Sequence, residues 1–228
     1  SYIFHNAATV SRQWEHRRLA LMRAMAAGEV PLLVAAVEGL LQRTLPPEEL
    51  DRAWAELRTG GSYDLNQLAE TLTAAGYSRC DQVEGVGQFA LRGGILDVYS
   101  PGMEQPVRAE FFGDELDAMG LFDPATQRRT ENVERAVLLP AAEALPHLAP
   151  VGTAGLAGRH ELAQTLRQDR EALEQGRSFP ATDRYLALIY PQLATAADYL
   201  PPDACVLFSE SSRVGERAKT YQWQLEED

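Results

Sequence analysis

Phosphate chemistry is the first reaction class to weigh, because "VGERAKT", Val214 to Thr220, ends in the Lys-Thr pair of a phosphate-binding loop. Such a loop needs G-x-x-x-x-G-K-S/T, whose backbone amides cradle phosphates while the lysine reaches the outer ones. Arg213 and Ala218 stand where the two glycines are required, and Lys219 is the only lysine in the sequence. Nucleotide binding is therefore not expected. "VEGVGQF" brings glycines without the G-x-G-x-x-G pattern that opens a dinucleotide-binding helix, so no cofactor is expected there either. His5, His16, His147 and His160 show no HExxH or paired-ligand spacing, which points to surface or capping roles. The carboxylates of "DELD", Asp114, Glu115 and Asp117, lie close enough to consider a cation, but a solvated turn is the expected state. Cys80 and Cys205 are far apart and form no metal or redox spacing, so buried or idle thiols are expected. These residues give no catalytic assignment and no metal site.

Recognition chemistry remains. In "VRAEFF", Val107 to Phe112, alternate side chains of a strand point to opposite faces, so Val107, Ala109 and Phe111 share a core side and Arg108, Glu110 and Phe112 the other. The same alternation in "QFALR" sends Phe89 and Leu91 inward and Gln88, Ala90 and Arg92 outward. Two arginines and a phenylalanine thus share one outer face. One reading has Phe112 covered by its own domain, with the arginines in surface ion pairs worth about 0–1 kcal/mol. Another is an interface patch, since Arg and aromatic residues dominate interface hot spots. A third is a nucleic-acid-binding β module, with Phe112 and Tyr99 stacking on bases. Spacing alone leaves these open.

The elements that must position this face follow from periodicity. A helix is expected from Ser11, with Trp14, Leu21, Met22 and Met25 recurring before Gly28 ends it. "VPLLVAAV" reads as a strand buried on both faces, and "EGLLQRT" resumes a helical pattern. "LPPEE" marks a break. In "DLNQLAETLTAAGY", Asp64 caps a helix carrying Leu65, Leu68, Leu72 and Ala75, and Gly76 stops it. From Tyr77 to Leu139 come short β-like runs: "CDQVEG", "QFALR", "ILDVYS", "VRAEFFG", "LDAMGLFD" and "RAVLLP". The Pro101-Gly102 loop makes a hairpin of 95–99 and 107–112. Leu162, Leu166 and Leu173 then line a helix ending at Gly176, and "ACVLFSE" reads as a last strand. The layout is α/β, then a β-rich insert, then α/β.

At 228 residues and 45% hydrophobic content there is core enough for one large domain or two smaller ones. The formal charge of −12 opposes general binding to phosphate backbones. No run of about 18 apolar residues could span a bilayer, and the N-terminal residues lack the pattern of a signal peptide, so a cytoplasmic location without a membrane partner is expected.

The run "GYSRCDQVEGVGQFALRGGILDVYSPGMEQPVRAEFFGDELDAMGLFDPATQRR" resembles the transcription-repair coupling factor (Mfd) family in its N-terminal region. It carries, in order, GY-x-R, V-E-x-x-GQF, RGGILD, P-V-R-x-E-F-F-G-D-E and F-D-P-x-T-Q-R. Weaker similarity extends through "FPATDRYLALIYPQLATAADYLPPDACVLFSE". The excision subunit UvrB shares the general plan and ranks second. The resemblance implies a UvrB-like domain 1 of α/β type split by an inserted, β-rich α+β domain 2. The expected bounds are 1–52 for the partial domain 1a, 53–140 for domain 2 and 141–228 for domain 1b. It further implies that domain 2 recruits UvrA in transcription-coupled nucleotide excision repair, with the recognition residues falling on Arg92, Arg108 and Phe112. RNA polymerase and DNA would be partners only through other parts of a longer, ATP-driven protein, so no enzyme activity is expected of these residues. One departure is plain: the family usually carries arginine where this chain has Gly120, in "DAMG".

Overall fold

The computed structural model of the protein describes residues 12–148, 171–173, 175 and 185–227. Six α-helices with both ends described, two short 3-10 helices and ten strands are found among them, and residues 171–173 are helical as well. The strands are β1 (Arg43–Thr44), β2 (Ala55–Arg58), β3 (Ser78–Arg79), β4 (Gln88–Arg92), β5 (Ile95–Tyr99), β6 (Val107–Phe112), β7 (Glu115–Phe122), β8 (Arg129–Asn132), β9 (Arg135–Leu138) and β10 (Ala194–Thr195). The helices are α1 (Gln13–Ala26), α2 (Val37–Leu41), α3 (Pro47–Ala53), α4 (Leu65–Ala74), α5 (Leu186–Ile189) and α6 (Ser211–Glu227). Together they make a mixed α/β chain with a β-rich α+β middle.

That middle is a six-stranded sheet in the order β3-β4-β5-β6-β7-β8, antiparallel throughout except for β3, which runs parallel to β4. The expected hairpin of β5 and β6 is present. Helix α4 forms as its sequence dictates: the Asp64 carboxylate accepts from the backbone N–H of Asn66 and Gln67, which would otherwise lack partners at a helix start. Gly76 ends it at φ 88°, a left-handed conformation that side chains resist. Ala69 and Leu72 of this helix pack with Phe89, Leu96, Val98, Val107, Ala109, Leu116 and Met119 of the sheet into one core, which also takes Leu57 and Leu138 from the separate β2–β9 pair.

A second core joins Leu19, Met22 and Met25 of α1 to Leu45, Leu50, Leu145, Ile189, Tyr190 and Tyr199. Residues 139–145 run along the seam between the two. Ala141 donates to Ala75 O at 2.8 Å, Leu139 receives the Tyr77 hydroxyl, and buried Glu143 accepts from Thr44 Oγ1 at 2.7 Å and from Arg18 Nε at 2.6 Å. Tyr77, Tyr190 and Tyr199 have phenols raised well above their ordinary pKa by burial, so all three stay neutral.

Several expectations are corrected. "VPLLVAAV" is not a buried strand: residues 30–36 belong to no strand, and Val34 is 87% exposed. Val30 and Leu33 alone lean on the second core. "ACVLFSE" likewise forms no strand, with Leu207 89% exposed. A run buried on both faces needs neighbours to hydrogen-bond and layers to cover it, and among the described residues no strand pairs with either segment. "VGERAKT" accordingly follows no strand and lies inside α6. "CDQVEG" is a loop rather than a strand. On α1 the buried stripe is His16, Leu19, Met22 and Met25, while Trp14 and Leu21 face outward. Strands β1, β2, β3, β8 and β10 are not among the expected runs: β1 closes "EGLLQRT", whose helix stops at Leu41, and β8 is exposed at every residue and lacks an alternating apolar signal. Leu173 is buried, whereas Leu162, Leu166 and Gly176 lie outside the described residues, as do His5 and His160.

Candidate interaction surface

Strand register decides which side chains share the outer face of the sheet. One row across four strands reads Ala90, Asp97, Arg108, Gly120, and the next reads Arg92, Ile95, Glu110, Ala118. Phe112 follows on β6, opposite Glu115. The opposite face carries Phe89, Val98, Val107 and Leu121, then Leu91, Leu96, Ala109 and Met119, all directed to the core. Between Glu110 and Phe111 the register shifts, because Asp117 is an extra residue on β7. This bulge re-phases β7, so Leu116 and Met119 both reach the core despite their odd spacing.

The outer face has two halves. Near the start of β4 it is roofed: Ala90, Phe122 and Val83 form a small buried cluster flanked by Cys80 and Tyr99. Gln127, at φ 60°, braces this roof by donating to Val83 O at 3.2 Å and Pro124 O at 2.8 Å. The half near the end of β6 is open. Phe112 is 86% exposed and Ile95 38%. Of the alternatives left by the sequence, coverage of Phe112 by its own chain is not seen among the described residues. Ala90, expected outward and exposed, is outward but buried.

Asp97 holds the two halves together. Its side chain is 0% exposed and accepts from Arg108 Nε at 2.7 Å, Arg108 Nη2 at 2.8 Å and Arg92 Nη2 at 3.0 Å. A buried carboxylate is tolerable only when so paired. Arg108 also donates to Gln127 Oε1 at 3.2 Å, and its guanidinium lies 4.6 Å from the centre of the Phe122 ring. Hydrogen bonding to Asp97 raises the already high Arg108 pKa, so this charge is permanent. Arg92 is more open, its side chain 52% exposed.

The structure therefore brings Arg92, Arg108 and Phe112 onto one face, with the two arginines joined through Asp97 and Phe112 standing apart. Sequence reasoning missed Asp97 and Gln127. A carboxylate at an outward position of the otherwise apolar "ILDVY", on the strand between those of Arg92 and Arg108, was the signal available. At Gly120 an added Cβ would lie 2.9 Å from Arg129 Nε and 2.7 Å from Glu131 O. The space above that glycine is thus filled by Arg129, which pairs with Glu110.

Other candidate chemistry stays dispersed. Among the described residues no group of three His, Cys, Asp or Glu side chains could hold a metal ion, and no helix is long and apolar enough to cross a membrane. Cys80 and Cys205 are free, the former with its thiol pushed up by burial and the latter exposed. His16 is buried with Nε2 3.0 Å from Ala141 O, and burial lowers its pKa. A cleft of about 700 Å³ between α1 and the sheet is lined by Arg12, His16, Arg17 and the glycines Gly76, Gly87 and Gly102.

Residues 55–143 match the family described as the UvrB interaction domain. Along 94% of its length the chain is 30% identical to the transcription-repair-coupling factor of Bacillus subtilis, covering 20% of that protein. The transcription-repair-coupling factor of Staphylococcus haemolyticus is 31% identical over 96% of the chain and 20% of its own length. That of Myxococcus xanthus is 32% identical over 85% of the chain and 17% of its own length. The sheet, its capped helix and its half-open outer face all lie in the matched segment, and the chain belongs to the transcription-repair-coupling factor family, with a UvrB interaction domain at residues 55–143.

Proposed function

We propose that the open half of the sheet's outer face docks UvrA, with Arg92, Arg108 and Phe112 as the recognition residues, and that this brings UvrA to stalled RNA polymerase during transcription-coupled nucleotide excision repair. The observation that carries the reading is Phe112, 86% exposed on the face that also carries Arg92 and Arg108, within a UvrB interaction domain. An exposed benzyl ring sharing a face with guanidinium groups is the composition of an interface hot spot. The role is recognition without catalysis. We place domain 2 at 53–140, inserted between α/β portions at 1–52 and 141–228, and the site of action in the cytoplasm. The chain spans about 20% of the length of its relatives. Contacts with RNA polymerase and DNA, and ATP-driven movement, therefore belong to other parts of the parent protein.

Titration of purified UvrA against the chain tests this. Phe112→Ala is expected to weaken binding on the order of thirtyfold, the effect of removing one hot-spot side chain. UvrA binding by Phe112→Ala at wild-type strength removes the assignment.

A further inference from the structure

Arg108 and Arg92 do not have the same work to do. Nε and Nη2 of Arg108 are taken by Asp97, Nη2 is shared with Gln127 Oε1, and one guanidinium face lies on Phe122. Its side chain is largely covered. Arg92 gives only Nη2 to Asp97, and its Nε and Nη1 make no hydrogen bond among the described residues. Ile95 follows the Gly93-Gly94 turn, where a Cβ on Gly94 would lie 2.7 Å from Phe111 O. That close approach draws the tip of the β4–β5 hairpin onto the end of β6. Ile95 pairs with Glu110 and so stands diagonal to Phe112 on the same face, a separation of about 7–8 Å that long and aromatic side chains bridge.

We infer that Arg92, Ile95 and Phe112 form the surface that touches the partner, that Asp97 and Arg108 are positioning residues beneath it, and that the surface takes a protein carrying an apolar pocket rimmed by carboxylate. The inference rests on the proposed docking of UvrA and specifies it, with Arg108 serving recognition from beneath the surface rather than by direct contact. Ile95 and Phe112 supply two adjacent apolar side chains for one pocket, and the Arg92 donors, open to water, can pair with a charged acceptor at its edge. Glu110 and Glu115 border the same patch, and the whole chain carries −12, so a phosphate backbone is repelled where a protein carboxylate can be met singly by Arg92.

The test measures UvrA affinity for the whole chain and its variants, with folding followed by circular dichroism. Ile95→Ala and Ile95→Asp are expected to weaken binding about tenfold or more while keeping the wild-type circular-dichroism spectrum, with a lower melting temperature for Ile95→Asp, which sets a second carboxylate opposite Glu110. Asp97→Asn is expected to weaken binding in the wild-type background and to have no further effect on affinity once Arg92→Ala is present, since Asp97 acts through Arg92. Wild-type affinity in both Ile95 variants, with Phe112→Ala still impaired, overturns the inference and leaves the docking proposal standing. Wild-type affinity in Phe112→Ala as well overturns the docking proposal itself. Self-association of the chain that Ile95→Asp abolishes without loss of UvrA affinity also overturns it, by giving the patch a second copy as occupant.

Discussion

Truncating Arg108 to alanine should damage the fold before it damages any contact. The change removes two of the three hydrogen bonds on a carboxylate that has no access to water, at 2.7 and 2.8 Å, and leaves only the 3.0 Å bond from Arg92. Stranding one partner of a buried ion pair costs about 3–5 kcal/mol, and the surviving Arg92 bond places the expected loss near the lower end, about 3 kcal/mol. The guanidinium also leaves the Phe122 ring, 4.6 Å away, which adds about 0.5–1 kcal/mol. Urea unfolding followed by far-ultraviolet circular dichroism reads the result. With an m-value of about 2 kcal/mol/M the midpoint should fall by about 2 M, with little change in slope. Adding Asp97→Asn to Arg108→Ala removes the orphaned charge and should restore more than half of the loss. A single variant within about 0.5 kcal/mol of wild type, or a double variant no better than the single, would refute the reasoning.

Three further outcomes are expected. Asp64→Ala removes the acceptor for the Asn66 and Gln67 amides and should cost about 1 kcal/mol in the same urea assay, with Asp64→Asn close to neutral. Gly76→Ala combines φ 88° with a Cβ only 2.6 Å from that of Ala142, so about 2–4 kcal/mol should be lost from left-handed strain and overpacking at the seam. Burial lowers the His16 pKa below its ordinary 6.5, so the unfolded chain takes the proton first. Its contribution is intact above pH 6.5 and lost as pH falls toward the folded value, and thermal melts from pH 7.5 to 5.5 should decline less steeply in His16→Gln. His147, lowered in the same direction by burial, keeps part of that slope.

Local signals were enough for what local chemistry decides. The Asp64 cap, the Gly76 stop and the alternation of "VRAEFF" each depend on a few neighbouring residues, and each is found. The outer position of Phe112 was legible for the same reason. What could not be read depends on partners far along the chain. Asp97 looks like a stray polar residue until register sets it beside Arg108, and the Asp117 bulge is invisible to any rule of strict alternation. "VPLLVAAV" and "ACVLFSE" have the composition of buried strands, but a strand is made by its neighbours, and composition names none. Trp14 misled in a different way: its ring lies 5.1 Å from the Arg17 guanidinium at the surface, so its size said nothing about burial.

The pairing of Ala55 with Leu138 has a consequence for engineering. Residues directly opposite in an antiparallel pair sit about 5 Å apart, so the β-rich segment enters and leaves through one doorway. A cassette with neighbouring ends can be moved into a foreign loop, or closed head to tail by a few glycines, without rerouting its interior. Because Ala142 closes against Gly76 and Ala141 bonds to Ala75, any such excision should keep the chain through Glu143, or it will leave the floor of the cassette behind.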